Sequence, residues 1–256
     1  MRTGGDAVGG TNDAWMDAAR RDYSPRKLEK WVAMAGAACT VFGREGYARA
    51  SVDALAAEAG VSTRTLYNHF PGGKAQLFRT VVTWTSGEVK DAQIARLHAV
   101  LAPGRPPRPE DLERDLVALA RSFVDLMEDY PNHFALVRHI HAEADHVPPE
   151  VLEAWRDAGP GPAGQALAEA LAGLAEAGLL DLRGDAPLAA AHFMALVSHT
   201  LTQRSHYGVL PLPKEETERL VTGGVAAFVR AYRMPWGPPS AVHPGVLPEA
   251  PPPQQP

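Results

Sequence analysis

The sequence predicts an all-α fold. Apolar residues make up 45% of the 256 residues and aromatic residues only 7%. Apolar side chains recur three and four positions apart in one stretch after another, which is the period of an amphipathic helix. Proline and glycine fall mainly between these stretches, where they end helices and form turns. A chain of this length can form one large or two modest domains.

Charge is distributed unevenly along the chain. The net formal charge is −5, but residues 20–90 carry 11 Lys or Arg against 6 Asp or Glu. The rest of the chain carries 14 basic and 24 acidic residues. A basic segment on an acidic chain indicates that one end meets a polyanion and the other does not.

Several classes of protein are disfavoured. The sequence has no 18-residue apolar run and no charged-then-apolar leader, so we expect a soluble, cytoplasmic protein that does not insert into membranes. The single Cys39 excludes an intramolecular disulfide and a cysteine-based zinc site, and its place on an apolar helical face predicts burial. No cofactor is predicted.

The first predicted helix follows a Gly-rich, polar segment, residues 1–22, that we expect to be disordered. Ser24-Pro25 is a typical helix start, with a capping hydroxyl followed by proline in the first turn. Apolar residues at helical spacing then predict a helix to about Gly43, and Gly46 is expected to break it.

Residues 52–70 read as helix, tight turn, helix. Ser51 is expected to cap the first helix, and apolar residues line one face of 52–59. Gly60 supplies a left-handed helix end, and Ser62 is placed to cap the next helix. Leu66 and Phe70, four residues apart, are expected to pack on the first helix. A tight helical hairpin within a core would show the same pattern.

The outward face of the second helix favours DNA binding over such a hairpin. It mixes Arg, Thr, Tyr, Asn and His, which are donors to base edges and phosphates, instead of the usual Glu and Lys. In a helix-turn-helix, this second helix enters the major groove. The predicted DNA-binding residues are Ser51, Ser62, Thr63, Arg64, Thr65, Tyr67, Asn68, His69 and Lys74.

Lys74 is included because it opens a long predicted helix that runs toward Leu101 and has no Ser, Thr, Asp or Asn cap. A cation at a helix N-terminus opposes the helix dipole. A DNA phosphate at this position would accept from both the free amides and the lysine, although a solvated lysine is the simpler reading.

The remainder is predicted to be helical around a Pro-rich loop, residues 102–109. Helices are expected over 110–129, 132–146, 148–157, 163–177, 185–207 and 214–233, and Asp185 is expected to cap the fifth of them. In the second of these, His139, Glu143 and His146 are spaced i, i+4, i+7 and could share a face. They leave open an alternative function, a helical metal-dependent enzyme, for which a further ligand is missing.

The last two helices are predicted to be a packing surface, because small residues recur every four positions in the final one. The surface could be intramolecular core or an interface. Its residues are Met194, Val197, Leu201, Leu220, Gly223, Ala227 and Ala231. The Pro-rich stretch that follows, 234–256, is expected to be an extended, disordered tail.

Residues 31–82 resemble the DNA-binding domain of the TetR (tetracycline-repressor) family. The resemblance rests on F-x-x-x-G-Y from Phe42, S-V-D-A-L-A-A-E-A-G-V-S from Ser51, T-L-Y-N-H-F from Thr65 and G-G-K-A-Q-L-F from Gly72. It places the recognition helix at 63–70, contacts at Tyr67 and His69, and a phosphate-binding lysine at Lys74. The segment 142–232 is similar, more weakly, to the C-terminal domain of the AefR-like subgroup.

The resemblance implies a homodimeric repressor that binds a palindromic operator and is released by a small-molecule effector, with the last two helices as dimer interface. It divides the chain into a DNA-binding domain, 23–73, and a ligand-binding and dimerisation domain, 74–233. A DNA-binding protein without an effector is a further alternative. Candidates for the effector pocket, chosen for size, are Trp84, Phe123, Met127, Phe134, His139, Trp155 and Phe193.

Overall fold

The computed structural model describes residues 24–234, and in these residues the regular secondary structure is helical apart from one isolated bridge between Leu180 and Arg233. The predicted all-α class is confirmed. The helices are α1 (Pro25–Arg49), α2 (Val52–Glu58), α3 (Thr63–His69), α4 (Gly73–Val100), α5 (Leu112–Asp129), α6 (Pro131–Ala142), α7 (Pro149–Ala158), α8 (Pro160–Glu176), α9 (Ala186–Met194), a π-helical segment (Ala195–His199), α10 (Thr200–Arg204) and α11 (Lys214–Tyr232).

The ends of the chain lie outside the described residues. The predicted N-terminal tail, 1–22, and all of the predicted C-terminal tail except residue 234 are therefore not described. Within 24–234, no helix combines the length and the apolar character needed to cross a bilayer.

Helix α1 continues past its expected end. It runs to Arg49, but Gly46 has φ 78° and ψ 176°, so the helix is kinked at the glycine that was expected to break it. Only glycine adopts this conformation without strain. Pro25 occupies the first turn as predicted, whereas the Ser24 side chain does not cap the helix.

Two hydrophobic cores hold the helices together, and α4 runs through both. The reader core joins α1, α2 and α3 to the first half of α4, where Leu77, Phe78 and Val82 are buried. The second core joins the second half of α4 to α5, α8, α9 and α11, and it is called the effector core after the part of the chain to which the family resemblance assigns the effector. The predicted domain boundary at residue 73 therefore falls inside the reader core, since buried residues of α4 complete it.

Helix α6 touches both cores. Its Leu136 and Ile140 are buried in the reader core, whereas Phe134 packs against the effector core. The helix ends at Ala142, four residues before the predicted end, and Glu143 is its C-cap. The prediction that it reaches His146 was wrong, because residues after Ala142 form a turn that leads into Pro148-Pro149.

Helices α9 and α10 form one continuous rod through the π-helical segment, and α11 packs closely against it. A Cβ on Gly224 of α11 would overlap the carbonyl oxygen of Leu196. The glycine is thus needed for the close approach of the two elements. Asp185 caps the rod as predicted by accepting from the Leu188 amide at 2.9 Å.

Two titratable side chains are buried in these cores. Cys39 is buried as predicted, and desolvation, reinforced by the nearby Glu88 carboxylate, raises its thiol pKa to about 12. His133 of α6 is 9% exposed and lies 3.2 Å, Nδ1 to Oγ1, from the Thr85 hydroxyl. Burial lowers the pKa of His133 to about 4, so this histidine is neutral in the folded protein.

We predict that His133 makes the fold sensitive to acid. Its pKa is near 6.5 in an unfolded chain and about 4 in the fold, so between these values the unfolded state binds more protons. Lowering the pH from 7.5 to 5 should therefore lower the free energy of unfolding by about 2 kcal/mol through this group alone. Urea unfolding at the two pH values measures the loss.

His133→Gln should reduce that pH dependence, whereas the exposed His146→Gln should leave it unchanged. Equal pH dependence in the parent and in His133→Gln would show that His133 is not the group responsible.

Candidate nucleic-acid interface

We call the helices α1, α2 and α3 together with the start of α4 the reader. Side-chain caps fix the start of its two short helices, α2 and α3. Ser51 Oγ accepts from the Ala54 amide at 3.0 Å, and Ser62 Oγ accepts from the Thr65 amide at 3.1 Å. The Ser62 and Thr65 hydroxyls are also 2.8 Å apart. Both caps predicted from sequence are confirmed, and Gly60 takes the left-handed conformation between the helices, with φ 63°.

The inward face of α3 anchors it to the reader core. Leu66 and Phe70 are buried as predicted, and the Phe70 ring lies 5.8 Å from that of Trp31 on α1. Because these two side chains fix the rotation of α3, the residues between them must point outward.

The outward face carries the predicted DNA-binding side chains. Arg64, Tyr67 and Asn68 are exposed, and Tyr67 is 47% exposed despite its size. Thr63, Thr65 and His69 are half-buried along the edges of this face. An exposed row of guanidinium, phenol and amide groups can donate to base edges and phosphates in a groove.

Two lysines that sequence reasoning did not single out lie near this face. The pKa of His69 is lowered by burial and then by the charges of Lys27 and Lys30 on α1. The first turns of α1 therefore bring two cations to the end of the recognition helix. Their spacing, i and i+3 directly after the helix start, was the available sequence signal.

Lys74 has partners inside the protein. Its Nζ donates to the carbonyl of Tyr47 at 3.0 Å and to that of Ala48 at 3.4 Å, and it lies 4.7 Å from the centre of the Tyr47 ring. The cation thus caps the C-terminal end of α1, where the helix dipole favours it. The Gly72 amide in turn donates to Gln76 Oε1 at 2.8 Å. The uncapped helix start that pointed to a phosphate is therefore partly satisfied within the chain.

The proposed metal-binding face is not formed. His146 lies beyond the end of α6, is exposed and is 2.8 Å from Asp145, whereas His139 and Glu143 turn toward α1. Within residues 24–234 no group of three or more His, Cys, Asp or Glu side chains is placed to hold a metal ion.

The seven candidates for an effector pocket are divided between the two cores. Trp84 and Trp155 pack against the reader core, whereas Phe123 and Phe193 are buried in the effector core with Phe134 against them. Three clefts of the described residues, with volumes of about 420, 410 and 650 Å³, are lined by other residues. Met127 is half-buried on α5, and His139 contacts α1 through Gly43.

An aromatic cluster lies near Trp155, and the sequence did not predict it. The His141 ring stacks on Tyr207 at 5.7 Å and meets the edge of Trp155 at 5.6 Å. Burial, followed by the charge of His199, lowers the pKa of His141. The indole nitrogen of Trp155 and the hydroxyl of Ser86 are both buried without a hydrogen-bond partner.

Of the seven candidates for a dimer surface, some are buried within the subunit and others lie at its surface. Val197 and Leu201 are 1% and 2% exposed and form part of the effector core of a single subunit. These two are corrected to core residues, because the helix rotates them away from the surface. Gly223 and Ala231 are exposed, while Met194, Leu220 and Ala227 are half-buried. Leu188 and Leu196 are exposed on the adjoining rod.

The fold and this site together define a helix-turn-helix DNA-binding regulator. A family model described as bacterial regulatory proteins, tetR family, matches residues 36–81. A second, described as AefR-like transcriptional repressor, C-terminal domain, matches residues 114–234. The chain belongs to the TetR family of transcriptional regulators.

Solved structures support this assignment. A TetR-family transcriptional regulator from Mesorhizobium loti is 27% identical, with a TM-score of 0.68 over 82% of this chain and all of the other. The flavonoid-responsive regulator FrrA is 26% identical, with a TM-score of 0.57 over 82% of this chain and 99% of its own. A regulator from Pseudomonas syringae, 24% identical over 83% of this chain and all of its own, shares the fold, with a TM-score of 0.57. No curated protein gave a significant match.

We predict that Lys74→Met destabilises the protein by about 1–2 kcal/mol, because it removes a cation from the end of α1 and from the face of the Tyr47 ring. Urea unfolding of the protein without DNA measures this change. Arg79→Met removes a charge from the exposed side of the same helix and should be nearly neutral. If the two variants are equally stable, the contacts of Lys74 contribute nothing to folding.

Proposed function

We propose that this regulator binds a palindromic operator as a homodimer and is released from it by a small-molecule effector, acting as a repressor in the cytoplasm. The DNA-binding part of this proposal rests on the orientation of α3 about its own axis. Leu66 and Phe70 hold one side of the helix in the core, and Arg64, Tyr67 and Asn68 are presented on the other. A short helix held in this way can enter a major groove without its backbone moving.

Each residue of the reader then has a distinct role. Arg64 is the best placed for guanine, since a guanidinium donates to the O6 and N7 acceptors of that base. Thr63, Asn68 and His69 border the same groove face. Tyr67 and the hydroxyls of Ser51, Ser62 and Thr65 position the protein on phosphates.

Lys74 contacts a phosphate without leaving its place in the protein. An ammonium has three N–H donors, and the Tyr47 and Ala48 carbonyls take two of them. The third is left for a phosphate oxygen. Lys27 and Lys30 add positive charge near His69, at the end of α3.

The dimer is formed through the outer face of α11 and the rod made of α9 and α10. In one subunit a Cβ on Gly223 would meet nothing within 4 Å, so this exposed glycine leaves room for another helix. The half-buried Leu220 and Ala227 and the exposed Leu188 and Leu196 supply apolar surface around it. Two-fold packing of this face would set two α3 helices on successive major grooves.

The effector enters between α4 and α7. Buried polar atoms normally have partners, so the unpaired Ser86 hydroxyl and Trp155 indole N–H, on these two helices, are groups that a bound molecule would satisfy. The aromatic rings near Trp155 favour a planar ligand. FrrA is described as flavonoid-responsive, which makes a flavonoid a reasonable first probe.

We predict that selection from a random DNA pool recovers a palindrome whose half-sites are related by a two-fold axis. Arg64→Ala should weaken binding by about 1–3 kcal/mol and relax the preference at one base pair of each half-site. Competition binding against single-base variants of the selected site measures both effects.

The outcome separates the possible roles of the protein and of Arg64. Binding that depends on salt but not on sequence would indicate a DNA-binding protein without an operator. A uniform loss of affinity over all sequences would make Arg64 a phosphate contact.

We predict that Gly223→Glu converts the dimer into a monomer. A carboxylate at the centre of the interface would be buried without a partner, while the isolated subunit has room for it. Sedimentation measures the mass. Gly173→Glu, at an exposed helical glycine with equal room on α8, is the matched control and should leave the mass unchanged. A dimer that survives Gly223→Glu would place the interface elsewhere.

A further inference from the structure

The kink in α1 leaves backbone groups whose partners come from the end of α6. On one side of Gly46, the Gly43 carbonyl lies 3.1 Å from His139 Nε2. On the other side, the Ala48 amide donates to Glu143 Oε2 at 2.9 Å. The His139 and Glu143 side chains come from the end of α6, whereas the backbone carbonyl and amide that they contact belong to α1.

Gly46 permits this contact. A Cβ at this position would overlap the Glu143 carboxylate and lie 2.7 Å from His139 Nδ1. The His139 and Glu143 side chains are only 12% and 17% exposed, and their Nδ1 and Oε1 atoms are 3.4 Å apart. A carboxylate with so little solvent depends strongly on the few donors that it has.

One peptide group lies between Glu143 and Lys74. The peptide that joins Tyr47 to Ala48 presents its N–H to Glu143 and its C=O to Lys74, at 2.9 and 3.0 Å. Its dipole therefore has an anion at its positive end and a cation at its negative end. Each charge strengthens the hydrogen bond of the other through the peptide, since aligned hydrogen bonds polarise one another.

We infer that Glu143 is a positioning residue of the DNA reader. It fixes the 47–48 peptide, and this peptide fixes the ammonium of Lys74. Lys74 lies in the first turn of α4, the helix that follows the recognition helix. A shift of α6 would reach the reader by this route, because α6 packs against the effector core through Phe134. The inference rests on the proposed function where it concerns DNA, and on the geometry alone where it concerns Lys74.

The first test is independent of DNA. In Glu143→Gln the side-chain amide can still accept from Ala48 but carries no charge. Hydrogen exchange of the free protein should rise about 2- to 30-fold at the Ala48 amide and also in the turn 71–74, the range expected for residues of a coupled network. Asp145→Asn removes a nearby charge from a side chain that is 79% exposed, and it should change neither segment. Unchanged exchange at 71–74 in Glu143→Gln would overturn the inference.

The second test uses the selected operator. Glu143→Gln should weaken operator binding about 2- to 30-fold relative to Asp145→Asn, measured by fluorescence anisotropy well below the unfolding transition. In a Lys74→Met background the same substitution should have less than a 2-fold effect, because the ammonium that it positions is gone. If the two substitutions weaken operator binding independently, so that their fold-changes multiply in the double variant, the inference is overturned. Parental affinity in Glu143→Gln would overturn it as well.

The two tests also separate this inference from the proposed function. If the parent binds no DNA but exchange rises in both segments, the proposed function fails and the link between Glu143 and Lys74 stands. If Glu143→Gln does not fold, Lys74→Met probes the same link from its other end. It should then speed exchange at Ala48, and protection equal to that of the parent would overturn the inference.

Discussion

The absence of a side chain at Gly46 is the constraint on which the relation between the two halves of the molecule depends. It allows α1 to bend and allows α6 to approach the bend closely enough for side-chain contacts. With any other residue, the His139–Glu143 pair would have to move away. The kink is therefore a contact site between α1 and α6, and not simply the end of a helix.

A second constraint is the sharing of α4 between the two cores. Its first half is packed with α1, α2 and α3 and its second half with α5, α8, α9 and α11, so one helix belongs to both cores. Helix α6 makes a second, shorter connection. Two connections between the same two cores restrict the rotation of one core relative to the other.

The features that could be predicted from the sequence are those controlled by local interactions. The caps at Ser51 and Ser62, the left-handed Gly60 and the spacing of Leu66 and Phe70 all act within a few residues, and each was found as predicted. The partner of Lys74 is 27 residues away and that of Glu143 is 95, and no periodicity shows such contacts.

Two points in the C-terminal half depend on contacts that the sequence does not show. A helical stripe shows that residues share a face, but not whether the face meets its own core or a second subunit, and the structure puts Val197 and Leu201 in the core. The composition after Ala142 is compatible with helix, yet Glu143 ends it. The carboxylate is used across the chain instead, which sequence alone does not reveal.

The π-helical segment at 195–199 bears on how this chain is aligned with its relatives. One such turn takes up an extra residue and offsets everything after it by about 100° around the axis, as the α-helical period dictates. In a relative whose helix has no such extra residue, residues before position 195 would lie on the same helix face as their counterparts in this chain. After that position, residues matched by counting would lie on different faces. Functional positions should therefore be carried from one regulator to another by superposition in this stretch, and not by counting along the helix.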